Sequence, residues 1–367
     1  MKIRLLYIIL FFSCHSLFAQ ENKDIITSTV RYHYGAVLSH HKSISYLVND
    51  QISAIELNLG FIPSTERVWS RLYKQPEIGL GLYHGSLGND KILGNVTAIF
   101  PYINFPLKRG KRWAFNTQMG FGLGISRKHF DPIDNYTNLA IGTKFNAFFK
   151  LLANGSYSIN EKWGLNGGIG FNHISNGAIS APNKGLNLLT GTVGVQYNWN
   201  DKIPYKGLPK FKAVKLRNEL SVIWGNGIKQ VSEKDHHNYY TSSLSGNYSI
   251  GINSKQRVGL GIDFFYNKAA NRGKWDFDPE TSFKNRFSQA FFISHDLAIE
   301  KFSIIANIGI YTFYKTTPEK PIYTRLGLRY RFGEHLVTSL CLKAHMGKAD
   351  FIEWGIGYRI KRNKNEK

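Results

Sequence analysis

Residues of opposite character alternate one by one along much of this chain, and that alternation limits the folds open to it. From Trp113 to Ile125 the odd positions are Trp113, Phe115, Thr117, Met119, Phe121, Leu123 and Ile125, while the even positions carry Ala114, Asn116, Gln118, Gly120, Gly122 and Gly124. Successive side chains of a strand point to opposite faces, so a two-residue repeat reads as a strand with one apolar face. From Ile322 to Phe332 an apolar even face stands opposite Tyr323, Arg325, Gly327, Arg329 and Arg331. A row of arginines is expected in a water-filled lumen rather than in the packed interior of a sandwich. The final such segment, Phe351 to Ile360, sets Ile352, Trp354, Ile356, Tyr358 and Ile360 on one face.

Strand-like segments recur near 25–40, 52–64, 77–87, 92–108, 112–127, 138–159, 163–176 and 187–199, then near 212–229, 239–252, 256–268, 286–299, 301–314, 322–332, 336–347 and 351–360. Allowing for merged or divided segments, about 12–16 strands are predicted. The expected fold is all-β, an antiparallel transmembrane β-barrel over 21–361 followed by a basic tail, 362–367. Asp201 to Lys210, with two prolines and a glycine, interrupts the pattern after the eighth segment and has the make-up of a boundary. One large barrel is the expectation; an eight-stranded barrel plus a second β unit is the alternative.

The N-terminus fits export. Lys2 and Arg4 precede the apolar run Leu5 to Phe12, and Ser16-Leu17-Phe18-Ala19-Gln20 resembles a cleavage region, so residues 1–20 are read as a signal peptide. Phe11-Phe12-Ser13-Cys14 is a poor lipidation motif. With Cys14 removed, Cys341 is the one cysteine left, and no intrachain disulfide can form. No later segment is apolar for long enough to span a bilayer as a helix. Aromatic residues make up 14% of the chain and glycines number 35, a mixture that suits aromatic girdles and a tight lumen. The formal charge of +22 favours anionic partners such as phosphorylated glycolipid head groups. Nucleic acid is not expected as a partner of an exported barrel, and a bacterial outer-membrane location follows.

Chemistry concentrates in Phe171-Asn172-His173-Ile174-Ser175-Asn176-Gly177 and the nearby Pro182-Asn183-Lys184-Gly185. His173 and Ser175, two residues apart on a strand, lie side by side on one face. A serine hydroxyl becomes a nucleophile when a neighbouring base takes its proton. The pair continues the apolar face of Trp163, Leu165, Ile169 and Phe171, which places it on the outer wall. Asn187 opens the corresponding face of the next strand, and the intervening loop is expected at the cell exterior. A reactive group on the outside of a barrel serves a membrane lipid.

These residues resemble the lipid A 3-O-deacylase (PagL) family of outer-membrane esterases. The similarity spans about residues 75–200 and is strongest over 171–199. It implies hydrolysis of an ester-linked acyl chain of lipid A, the lipid of lipopolysaccharide, or of a related membrane lipid. The family's serine and histidine fall on Ser175 and His173, and its oxyanion-stabilising region falls on Asn176 with the amides of Gly177 and Ala178. The family's glutamate, twelve residues after the serine, falls on Asn187. Asp131 and Asp134, in an earlier exterior loop, are candidate substitutes. The resemblance implies no metal and no cofactor, and a homodimer is among the expected assemblies. The alternative function is a non-catalytic barrel, a porin or lipid-binding or transport relative, that keeps the motif for structure.

Other signals are weaker. Asp235-His236-His237 reads as a solvated loop, and His40-His41, His295, His335 and His345 have no partner pattern. The glycine runs near 120–124 and 164–170 lack the lysine and the strand-to-helix setting of a phosphate loop.

Overall fold

A computed structural model of the chain describes residues 24–38, 42–200, 213–232, 234, 235, 237–270, 283–316 and 320–362. The expected signal peptide with Cys14, the His40-His41 pair, the Asp201–Lys210 interruption, His236 and the end of the basic tail lie outside these residues. The first eight strands are β1 (Ile25–Leu38), β2 (Ile52–Ile62), β3 (Glu77–Ser86), β4 (Asn95–Arg109), β5 (Trp113–Ser126), β6 (Phe145–Ser158), β7 (Trp163–Ser175) and β8 (Leu186–Asn198). The second eight are β9 (Asn218–Lys229), β10 (Tyr239–Gly251), β11 (Gln256–Asn267), β12 (Phe287–Ile299), β13 (Phe302–Tyr314), β14 (Ile322–Phe332), β15 (Leu336–His345) and β16 (Lys348–Arg362).

Each set of eight closes on itself. The ladder β1–β8 seals the first barrel and β9–β16 the second, and every pairing is antiparallel between neighbours. Of the two expected arrangements the chain adopts the alternative, an eight-stranded barrel plus a second β unit, rather than one large barrel. The reason is backbone pairing: β8 finds its second partner in β1, so no edge is left for β9 to extend. In hydrocarbon such closure is obligatory, because unpaired N–H and C=O groups have no water to bond.

The outer walls carry the apolar alternation. Val30, Ile55, Leu59, Leu82, Ile169 and Val193 are exposed on the first barrel, and Leu220, Leu260, Ile293, Ile308 and Trp354 on the second. Aromatic pairs such as Trp163–Tyr197 and Phe302–Tyr330 gather at one rim, as girdle residues do. That rim also holds short turns, such as 110–112 and 159–162. The opposite rim carries the longer 127–144 and 176–185 loops, the asymmetry expected of periplasmic turns and exterior loops.

The first lumen is packed in its exterior half and holds a cavity of about 530 Å³ in its other half, lined by Arg31, Asn58, Asn116, Gln118, Asn154 and Asn166. In the first barrel the exterior half holds Tyr83, Phe100, Phe148, Ile174, Leu186 and Leu188, all 0% exposed, roofed by Ala140 and Ile141 of the long loop. Below them Glu56 accepts from Arg31 at 2.5 Å and Lys150 at 2.5 Å, and lies 3.1 Å from His33 Nε2. In the second barrel the arginine row does point inward, and Arg325 and Arg331 enter ion pairs there. Arg325 bridges Asp263 and Glu353 at 2.8 and 3.1 Å, and Arg331 bridges Asp296 and Glu219 at 2.5 and 3.3 Å. An eight-stranded barrel is just wide enough for its own side chains, so charges that enter must pair with one another.

Three short elements escape a two-residue pattern: the 3-10 turn Lys42–Leu47 and the helices Val68–Leu72 and Phe283–Arg286. Strand β6 also begins at Phe145 rather than near 138, because Asn138 to Ile141 serve the exterior loop. A buried ion cluster is costly to break on one side only. Replacing Glu56 by Gln strips charge from the centre of Arg31 and Lys150. Urea unfolding of the chain in lipid vesicles should show the first barrel weakened by about 3–5 kcal/mol.

Candidate active site

Strand register brings His173, Ser175 and Asn187 together. His173 pairs directly with Asn187 across β7 and β8, and with Phe149 across β6 and β7; Ser175 pairs with Ala147. The inward neighbours Ile174, Leu186 and Leu188 are core residues of the lumen. Their burial fixes the phase of both strands, because a one-residue slip would turn them outward. His173 and Asn187 therefore face out of the barrel at its exterior rim.

The side chains form a relay. His173 Nε2 lies 3.1 Å from Ser175 Oγ, and His173 Nδ1 lies 2.6 Å from Asn187 Oδ1. An amide oxygen only accepts, so with Asn187 Oδ1 facing it the ring is set up to carry its proton on Nδ1 and donate it to Asn187. Nε2 is left with its lone pair toward the serine hydroxyl. This is the tautomer a general base requires. Ser175 is 7% exposed, tucked under the loop that follows it.

That loop, 176–185, is braced from several sides. The Asn176 amide N–H donates to Asn183 Oδ1 at 3.2 Å, and Asn176 Nδ2 donates to the Ser180 carbonyl at 2.9 Å. The β5–β6 loop supports it through Lys184 N–H to Leu139 O at 3.1 Å and Gly185 N–H to Ala140 O at 2.9 Å. Asn138 in turn ties that loop down, accepting from Ile141 N–H at 3.1 Å and donating to Ile92 O at 3.1 Å. Gly177 and Ala178 both have positive φ, 63° and 71°. Such a turn points successive amides in one general direction. Among the described residues no acceptor is recorded for either of these two N–H groups.

The predicted residues thus divide. His173, Ser175 and Asn187 meet as a bonded relay, and Gly177 and Ala178 supply unengaged amides beside it. The donors of Asn176 hold the loop instead. Asp131 is committed to its own turn, accepting from Ile133 and Asp134 N–H at 2.8 and 2.9 Å, and those bonds hold its carboxyl below the usual range. His237 bonds Asp235 at 2.9 Å in an exposed loop. Among the described residues no cluster of three His, Cys, Asp or Glu could hold a metal. Sequence reasoning missed the bracing residues Asn138 and Gln230, since neither belongs to a periodic pattern.

Around the relay the wall is apolar. Phe171 and Leu189 continue the same faces toward the membrane, Phe145 is exposed at the rim, and Leu38 of β1 pairs with Asn187. Lys144 and Lys184 stand exposed in the loops above. An ester whose head group is anionic and whose chain is apolar fits this boundary.

Gly185 shows how closely the site is packed. Its φ is +70°, and an added Cβ would lie 3.0 Å from His173 Cε1 and 3.3 Å from Ser175 Cβ. Gly185→Ala should displace the imidazole and cut ester hydrolysis by roughly tenfold or more, measured as kcat on a long-chain ester in detergent micelles.

Two family models match this chain. Residues 55–196 match lipid A 3-O-deacylase (PagL), and residues 218–362 match the acyloxyacyl hydrolase C-terminal domain. The second match coincides with the second barrel, and the first runs from within β2 to within β8 of the first barrel, without β1. No curated protein matches. Among solved structures, Neisserial surface protein A aligns with 11% identity and a TM-score of 0.33, over 48% of this chain and 97% of that one. The Pseudomonas putida toluene transporter TodX aligns with 9% identity and a TM-score of 0.17, over 93% and 88%. Acinetobacter baumannii OccAB3 gives 11% and 0.24, over 93% and 100%.

Proposed function

Since this chain belongs to the lipid A 3-O-deacylase (PagL) family, an outer-membrane family of ester hydrolases, we propose that its first barrel removes an ester-linked acyl chain from lipid A or a related lipid through Ser175 and His173. The observation that carries the proposal is the relay Ser175–His173–Asn187, bonded end to end on the lipid-facing wall. His173 Nε2 takes the proton of Ser175 as Oγ attacks the ester carbonyl. The carbonyl electrons move to oxygen, where the Gly177 and Ala178 amides stand as donors. Collapse expels the alkoxide of the sugar, which takes the proton from the imidazolium, and leaves the acyl chain on Ser175. Water, deprotonated by the same imidazole, then releases the fatty acid. Lys144 and Lys184 suit the phosphates of the head group.

Asn187 sets the rate of this cycle. In triads an amide in the acid's place can cost about 10⁴ when it holds the wrong histidine tautomer. Here Asn187 Oδ1 faces Nδ1 at 2.6 Å, which supports the productive tautomer and leaves the charge that would stabilise the imidazolium as the missing element. Asn187→Asp restores that charge at the same position and should raise kcat by about tenfold, consistent with a charge-assisted hydrogen bond in place of a neutral one. If Asn187→Asp leaves kcat unchanged, position 187 is not a weakened acid.

The second reading, a non-catalytic barrel that keeps the motif for structure, draws its support from that same asparagine. Mass spectrometry of lipid A from cells carrying the wild type or Ser175→Ala separates the two. The wild type should yield lipid A lacking one acyl chain, and Ser175→Ala the intact form. Identical acylation in both would favour the non-catalytic reading.

A further inference from the structure

The loop that follows Ser175 is not held by its own barrel alone. Ala178 O accepts from the backbone N–H of Gln230 at 3.0 Å, and Ala181 N–H donates to Gln230 Oε1 at 2.9 Å. Gln230 is the residue immediately after β9, a strand closed into the second barrel on both sides. Gly177 meets that barrel as well: an added Cβ would lie 2.4 Å from Ile352 Cγ1. At the periplasmic rim the barrels touch again, with Tyr73 Oη donating to Ala298 O at 2.7 Å and the Lys255 ammonium 5.0 Å from the Tyr73 ring centre. Contacts at both rims oppose rotation of one barrel against the other.

These contacts fall on the atoms that set the turn. The bond to Ala178 O orients the peptide plane after Ala178, and the bond to Ala181 N–H fixes the chain three residues on. Between Ser175 and these anchors lie the Gly177 and Ala178 amides, held at positive φ. A residue such as Ala178, which pays a steric cost in that region, stays there only when its surroundings hold it. Gln230, with a backbone donor and a side-chain acceptor, supplies two such restraints.

We infer that the second barrel is part of the hydrolytic site: through Gln230 and Ile352 it holds the 176–181 loop so that the Gly177 and Ala178 amides face the substrate oxyanion. Gln230 is then a positioning residue that touches no substrate. The inference rests on the Ser175 reading above. It gives the C-terminal domain a task in catalysis rather than in anchoring alone.

The test uses the full chain in detergent micelles and a long-chain alkyl fluorophosphonate, which phosphonylates an activated serine without needing lipid A. Gln230→Ala keeps the backbone bond to Ala178 but loses the acceptor for Ala181. Gln230→Glu keeps both. Gln230→Ala should slow Ser175 phosphonylation and kcat on a long-chain ester by roughly 10–100-fold, with KM close to that of the wild type. Gln230→Glu should recover most of the rate, which a general loss of folding would not allow. Wild-type labelling with an equally fast Gln230→Ala overturns this inference alone. A wild type that is not labelled at Ser175 removes the hydrolase reading and this inference with it.

Discussion

The ladder between β1 and β8 closes the first barrel, and the candidate site hangs on its last rung, where Leu38 faces Asn187. Closure removes every strand edge from the hydrocarbon. It also fixes the phase of all eight strands at once, since an eight-stranded lumen admits only one set of side chains. Ile174, Leu186 and Leu188 fill that lumen, so His173 and Asn187 have no choice but to face the lipid. The relay is in this sense a by-product of core packing: three buried aliphatic residues hold three polar ones in register on the other face.

The second barrel meets the same constraint with different chemistry. Its lumen is a chain of ion pairs built on Arg325, Arg331, Arg359 and Lys343 with Asp263, Asp296, Glu219, Glu353 and Asp350. Each charge is costly to bury and is retained because its partners are in place. Much of the internal positive charge is thus paired within the lumen. The site lies outside, at the boundary between a polar loop layer and an apolar band. A lipid ester naturally lies at that boundary in an outer membrane.

Much of this was legible in the sequence. The alternation from Trp113 to Ile125 and from Ile322 to Phe332 marks strands with little ambiguity, because side-chain direction in a strand depends on parity alone. The same parity places His173 and Ser175 on the outer face. Partition into two barrels is less legible: the Asp201–Lys210 interruption marks a boundary after the eighth segment, but closure depends on which strand meets β1, and the interruption does not decide that. The arginine row likewise shows which face is inward but not that carboxylates from other strands meet it there. Asn138 and Gln230 brace the loop after Ser175 from 38 residues before its first residue and 54 after it, through isolated hydrogen bonds that leave no periodic trace. Asn176 illustrates the converse: the family resemblance implies it as a donor to the oxyanion, whereas its amide groups are engaged in shaping the loop.

The proposed chemistry turns on whether an amide can replace a carboxylate behind the histidine. Asn187 cannot neutralise an imidazolium, but through Oδ1 it can hold the proton on Nδ1 and leave Nε2 free to act. The tautomer of His173 is therefore the quantity on which the account stands. Nitrogen NMR of the histidine-labelled chain in micelles, at a pH where the ring is neutral, reads it directly. A protonated Nδ1 with an unprotonated Nε2 on His173 is the predicted result. A proton on Nε2, with Asn187 bonded to a bare Nδ1, would leave Ser175 without a base and contradict the account.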